Sequence, residues 1–330
     1  MHREISFFAL PKDSRQCDLE VERLTIVRSA LGGLALTSKN ARERSWRGLI
    51  NLRLMDLAFY LKMLSKSLQR KDCPYCNYPD SHVIARRQLI LQLRQCPRCQ
   101  LIFRFPKDKV RENPDFYARP DTEKTATGLP TDAALLRHIE NNFISVGEDL
   151  RPHLQVIRKF STGKRLLDFG ASWGYCTYQF NQAGYQAIGL ELSHPQVRYG
   201  RNQLRIPMVT STASLEPHSF DVIYAAHVLE YMSDPKSAIK EFRRLTAPGG
   251  TAFIFVANGS SEPVRGMGTK WPTLIEGNQL MVYTAEFLKS SFEGEGYKVS
   301  FASSPYNTAP RAYSSEMTLE GEELLALANL

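Results

Sequence analysis

The sequence has no run of eighteen uncharged apolar residues, which excludes a conventional membrane-spanning helix. Its N-terminal apolar patch, Ile5 to Leu10, is too short for a signal-peptide core and lacks the expected flanks, so the expected location is the cytoplasm. There is no internal repeat and no low-complexity tract. Cysteine is scarce, six in 330 residues, which excludes a small disulfide scaffold. With 43% apolar and 23% charged residues, collagen and whole-chain disorder are excluded too. The length suits two domains, or one large domain with an extension.

What is present is unevenly placed. Residues 1–120 hold 23 Lys and Arg against 12 Asp and Glu, a net of +11. The remainder holds 19 against 22, a net of −3. A basic front third suits nucleic acid, an anionic membrane surface or an acidic partner, or is simply a solvated face. Within it, Trp46, Ile50, Leu54, Leu57, Leu61, Leu64 and Leu68 recur at steps of three and four, with Arg and Lys between them. Residues 39–71 therefore read as a basic amphipathic helix. It either makes peripheral contact with a membrane or covers an apolar face of its own protein.

Four of the six cysteines form the pattern Cys73-x2-Cys76-x19-Cys96-x2-Cys99. Two such pairs at this separation match a tetrahedral zinc site. Each pair sits on a tight turn, so that both sulfurs point into one hollow, and Pro74 and Pro97 occupy the same place in each. Strand-like runs lie between the pairs, Val83 to Leu93, and after them, Leu101 to Phe105. The whole reads as a zinc ribbon. With all four ligands from the protein, Zn2+ is structural rather than catalytic. Arg86, Arg87, Arg94, Arg98 and Arg104 offer contacts to phosphate, while a ribbon that props a neighbouring domain fits equally well.

From Lys164 onward strand-like and helix-like runs alternate, the signature of a parallel α/β sheet. The first strand runs into Asp168-Phe169-Gly170-Ala171-Ser172-Trp173-Gly174 and then a helix. Glycines there allow close backbone approach to a ligand. A second strand ends in Glu191, 23 residues after Asp168, where an acid is placed for ribose hydroxyls. This loop is Asp-x-Gly-x-x-x-Gly and not the dinucleotide Gly-x-Gly-x-x-Gly. Asp168 would repel a pyrophosphate and welcome a cation or an amino group, which points to S-adenosylmethionine.

On these residues, the stretch from Lys164 to Val299 resembles class I S-adenosylmethionine-dependent methyltransferases. The landmarks are Leu166–Gly174, Gly189–Ser193, Ser219–Ile223 leading to His227-Val228-Leu229-Glu230-Tyr231, Ala247–Gly250, and Tyr283–Leu288 through Val299. The resemblance implies a Rossmann-like, mostly parallel seven-stranded sheet. It implies a cofactor site of Asp168, Gly170, Ser172, Gly174, Glu191, Leu192, Ala226 and His227. The cysteine pairs followed by Phe103, Pro106 and Phe116-Tyr117 resemble a bacterial group that joins a four-cysteine ribbon to this domain, some of whose members methylate sugars and cell-surface glycans. The implied acceptor is a small molecule or a sugar-like glycan precursor.

Two departures stand out. Ser172 replaces a glycine, which is tolerable at negative φ. The loop Thr210–Ser214 lacks an acid for the adenine amino group. His227 has two readings, a general base for the acceptor or a residue that only lines the cofactor cleft. Trp271, in the polar stretch Gly259–Leu280, either stacks on an acceptor or plugs the loop. Rival functions are RNA methylation through the basic front third, a non-catalytic cofactor-binding protein, and a nicotinamide dehydrogenase, which the loop spacing disfavours. The expected division is an extension at 1–70, the zinc ribbon at 71–112, a linker with lead-in helices at 113–160, and the methyltransferase domain at 161–330.

Overall fold

Each Cys-Pro-x-Cys turn closes on the same pair of backbone bonds. The Asn77 N–H donates to the Cys73 carbonyl at 3.0 Å and the Cys73 N–H to Tyr78 at 2.9 Å. In the second turn the Gln100 N–H donates to Cys96 and the Cys96 N–H to Leu101, both at 2.9 Å. Asn77 and Gln100 share a left-handed φ, 57° and 61°. The two turns are therefore built alike. The run between them is not one strand but an antiparallel hairpin, β1 (His82–Arg87) and β2 (Leu91–Gln95). A reversal is needed to bring the second pair of sulfurs back to the first. β3 (Ile102–Phe105) extends the sheet beside β2.

These observations come from a computed structural model that describes residues 70–87, 91–106, 128–144, 150–261, 266, 279–314 and 316–330. The amphipathic stretch at 39–71 lies almost wholly outside the described residues, and Trp271 lies outside them as well. No helix among the described residues is long and apolar enough to cross a membrane.

Two helices lead into the main sheet, α1 (Asp132–Glu140) and α2 (Arg151–Phe160). The Thr131 hydroxyl caps α1 by accepting from the Ala134 N–H at 3.3 Å, and proline in the first turn starts α2. The alternating run then forms β4 (Arg165–Phe169), α3 (Tyr175–Gln182), β5 (Gln186–Leu190), α4 (His194–Tyr199), β6 (Met208–Val209), β7 (Phe220–Ala226), α5 (Pro235–Leu245) and β8 (Thr246–Ala257). After these come β9 (Met281–Val282), α6 (Ala285–Glu293), β10 (Lys298–Ser303), β11 (Arg311–Ala312) and β12 (Glu323–Asn329).

The sheet order is β11-β10-β12-β8-β7-β4-β5-β6. From β8 to β6 the pairs are parallel, while β12 runs antiparallel between β8 and β10. This is the expected Rossmann-like, mostly parallel sheet. An eighth strand, the two-residue β11, lies beyond the seven expected. Val222, Ile223 and Ala225 in β7 are fully buried, as befits a strand covered on both faces. After β4 the chain steps to β5 on one side and then returns to β7 on the other. The resulting crevice lies at the carboxyl end of β4, where such sheets bind ligands.

The ribbon is not an appendage. β9 pairs with β3, Ile102 opposite Val282 and Phe103 opposite Met281. Cys73, Cys96, Leu101 and Phe103 lie in one apolar cluster with Tyr283 and Phe287 of the main domain. Tyr75 sets its ring edge-on to Phe287 at 4.9 Å.

Candidate functional site

The glycine loop closes as its sequence requires. The Gly170 and Ala171 N–H groups both donate to the Leu190 carbonyl at 2.9 Å, which ties the loop to the end of β5. Gly170 has φ +83°, and a Cβ there would lie 2.4 Å from Cγ2 of Val228. Gly174, at φ +95°, begins α3, and a Cβ there would lie 2.3 Å from Cδ1 of Ile206. Neither position accepts a side chain.

Ser172 corrects the expectation of a negative φ: it takes φ +53°. The left-handed turn aims its N–H at Glu191 Oε2, 3.1 Å away, and that bond offsets the modest cost of the conformation. The other oxygen, Glu191 Oε1, accepts from the Ser193 N–H at 2.9 Å. Glu191 is thus oriented from both sides. Leu192 is 63% exposed beside it.

Asp168 is buried at the end of β4, and its Oδ2 accepts from the Thr177 hydroxyl at 2.6 Å. Burial pushes its carboxyl up to about 7, outweighing the Thr177 hydrogen bonds that pull it down, with Glu191 adding to the rise. Asp221 lies at the opposite edge of the sheet. It accepts from the Lys164 and Arg165 N–H groups at 3.1 and 3.0 Å and pairs with the Arg165 guanidinium.

Ala226 ends β7 and His227 follows in a left-handed conformation, φ +49°. The His227 N–H donates to the Phe255 carbonyl at 2.9 Å. Its ring lies between two acids, Nδ1 at 3.3 Å from Glu230 Oε1 and Nε2 at 2.5 Å from Glu323 Oε1. Burial alone would lower the imidazole, but Glu230 and Glu323 outweigh it and hold it up to about 10. A carboxyl group on each side of the ring favours its protonated form. Glu230 is fully buried and its Oε1 also accepts from the Ala257 N–H at 2.8 Å.

The structure brings Asp168, Gly170, Ser172, Gly174 and Glu191 together around one loop, with Ala226 and His227 on the neighbouring strand end. Sequence reasoning missed Glu323, His153 and Tyr306. Glu323 Oε2 accepts from His153 Nε2 at 2.9 Å and from the Tyr306 hydroxyl. The three stand 17 to 170 residues apart in sequence and no motif joins them.

The cysteine quartet assembles as its spacing predicts. All four sulfurs lie within 4.8 Å of one another, with Cys73–Cys99 and Cys76–Cys96 both at 3.5 Å. Four thiolates arranged tetrahedrally at about 2.3 Å from zinc stand about 3.8 Å apart. None of the four is in a disulfide. The set therefore fits a zinc ion, and among the described residues these four sulfurs make up the whole cluster.

An acid-lined glycine loop lies at the carboxyl-edge crevice of this doubly wound sheet, the place where such sheets bind ligands. Comparison with known proteins narrows the kind of domain. Residues 140–300 match the family model described as a methyltransferase domain. This part of the chain is similar to methyltransferase domains. The chain is 30% identical over 107 residues to a ubiquinone biosynthesis O-methyltransferase from Methylococcus capsulatus, a match covering 30% of this chain and 45% of that protein. It is 30% identical over 105 residues to the Vibrio cholerae protein of the same name, covering 29% and 43%. The chain thus spans less than half the length of these relatives. A crystallised S-adenosylmethionine-dependent methyltransferase from Thermotoga maritima aligns over 59% of this chain and 95% of its own, at TM-score 0.45 and 17% identity.

Proposed function

We propose that this protein transfers a methyl group from S-adenosylmethionine to a hydroxyl-bearing small molecule. The acid lining of the carboxyl edge carries the reading. Asp168, Glu191, Glu230 and Glu323 stand at or beside this edge, with His227 held between the last two. Such a lining favours a cationic ligand and repels a pyrophosphate.

When bound, S-adenosylmethionine supplies a methyl group already activated on a sulfonium. Glu191, fixed by the Ser172 and Ser193 amides, accepts from the ribose hydroxyls. Asp168, steadied by Thr177, offers its charge to the ligand's ammonium group. Gly170 and Gly174 keep side chains out of the loop. Leu192, exposed beside Glu191, and Ala226 with His227 at the neighbouring strand end would border the group. The catalytic task is alignment and exclusion of water, and alignment alone can supply about 7–11 kcal/mol.

His227 is not the base in this reading. The two flanking carboxyl groups favour its protonated form, which offers no nitrogen to take a proton from the acceptor. It serves instead as a charged wall of the site.

The relatives' names support oxygen in a small molecule as the acceptor atom. A sugar-like glycan precursor is one compound of that kind, and no described residue selects it over another. The zinc ribbon is structural: Cys73, Cys76, Cys96 and Cys99 form a closed set whose turns share the main domain's core. The test is methyl transfer from methyl-labelled S-adenosylmethionine into a cell extract by the purified protein. Label is expected in the small-molecule fraction. Label confined to RNA or protein would contradict the reading.

A further inference from the structure

The last strand reaches the site through one residue. β12 runs antiparallel to β8, so its first residue, Glu323, lies opposite Ala257 at the carboxyl edge. Its two oxygens have separate tasks. Oε2 accepts from His153 Nε2 and the Tyr306 hydroxyl. His153 is itself fixed, stacked flat on Phe255 at 3.7 Å and 13°, with Nδ1 2.9 Å from the Tyr224 hydroxyl. Oε1 is thereby aimed at one ring, that of His227, at 2.5 Å.

Burial separates the two ends of this network. The side chains of Glu323 and His153 are 18% and 16% exposed, while His227 is 48% exposed. The rigid end lies inside and the accessible end borders the cleft. His227 also sits in a left-handed conformation that few non-glycine residues adopt. Its second strap, from Glu230, is longer at 3.3 Å. Glu323 is not needed to hold its own strand, because β12 is paired along its length with β8 on one side and β10 on the other.

We propose that Glu323 is a positioning residue: acting through His227, it ties the last strand to the edge where S-adenosylmethionine binds. This rests on the reading above, in which His227 borders the cofactor. The groups that set the state of His227 are Glu230 from its own turn and Glu323 from β12. His153 of α2, Tyr306 and Tyr224 stand behind Glu323. Burial would raise the Glu323 carboxyl, but the bonds from His153 and His227 outweigh it and hold Glu323 well below the usual range.

The experiment uses the full chain with zinc bound and ¹⁵N-labelled histidine. The variants are Glu323→Gln, Glu323→Asp and Tyr306→Phe. His227 in the parent protein is expected to stay protonated to about pH 10. In Glu323→Gln it should titrate at clearly lower pH, and affinity for S-adenosylmethionine should fall about tenfold or more, the loss expected from one charge-assisted bond. Glu323→Asp should fall between, and Tyr306→Phe, which loosens Oε2 alone, should shift both the His227 titration and the affinity less than Glu323→Gln does. If Glu323→Gln does not fold, Glu323→Asp carries the same two readouts. The proposal is overturned if Glu323→Gln binds as the parent does. It is equally overturned if Glu323→Gln and Tyr306→Phe lose affinity alike with no change at His227, since that marks a merely structural role. If the parent itself fails to bind S-adenosylmethionine, the proposed function is at fault, and the His227 titration still decides whether Glu323 holds the ring.

Discussion

Replacing Asp168 by Asn tests the cofactor loop through two linked quantities, stability and affinity. Asp168 is fully buried and its carboxyl is raised from the ordinary value of 3.8 to about 7, chiefly by burial. A raised acid binds protons more tightly in the folded chain than in the unfolded one. Between about pH 4 and 7 the folded state therefore holds more protons, and stability falls as pH rises through this window. The move from 3.8 to about 7 corresponds to about 4 kcal/mol as an upper figure, at 1.36 kcal/mol per tenfold. Asn has the same shape, keeps an oxygen for Thr177 and never ionises. Urea denaturation of the unliganded protein should show a decline from about pH 5 to 7.5 that Asp168→Asn lacks. Above pH 7 the variant should be the more stable protein. Affinity should move the other way. Only ionised Asp168 attracts the ligand's ammonium group, so parent affinity should rise about tenfold or more between about pH 5.5 and 7.5. This range lies below the ordinary α-amino value of about 7.7–8.0, so the ligand's own titration does not produce the rise. Asp168→Asn should bind weakly at every pH. Parallel stability curves for the two proteins, or a variant that binds as tightly as the parent, would refute the reasoning.

Three further outcomes follow from the same geometry. Glu191→Ala should lower S-adenosylmethionine affinity at least about tenfold in calorimetric titration, because two oriented ribose contacts are lost, while leaving the far-ultraviolet dichroism unchanged. Gly170→Ala combines a left-handed φ with a Cβ 2.4 Å from Val228 Cγ2 and should cost about 2–4 kcal/mol in denaturant unfolding; adding Val228→Ala should recover only part of the clash, because the Cβ of residue 228 stays 2.9 Å away. Cys96→Ser should lose stoichiometric zinc by atomic absorption. It should also speed amide exchange at Arg104 and Leu280, because the Arg104 N–H donates to the Leu280 carbonyl at 2.9 Å and the Leu280 N–H to Glu230 at 2.7 Å.

What the sequence announced was whatever one continuous stretch could encode. The loop from Asp168 to Gly174, the acid at Glu191 and the cysteine spacing each carry their chemistry within a few residues, and the structure assembles each of them. The Val83–Leu93 run hid a hairpin because hydrophobic pattern alone does not mark where a strand folds back. Ser172 hid its positive φ because the hydrogen bond that offsets it comes from Glu191, on another strand. The last strand and its Glu323 were illegible for a similar reason. Their meaning depends on His153 and His227, 170 and 96 residues away, and on an antiparallel placement that no local motif records. The pairing of β9 with β3, which makes the ribbon continuous with the main domain, involves two residues and left no signal at all.

The central claim is that the acid-lined loop holds S-adenosylmethionine. Isothermal titration of the full-length, zinc-loaded protein with S-adenosylmethionine and, separately, with NAD tests it most directly. The account predicts saturable binding of S-adenosylmethionine near one per chain, weakened by Glu191→Ala, and no binding of NAD. Binding of NAD with none of S-adenosylmethionine would contradict it.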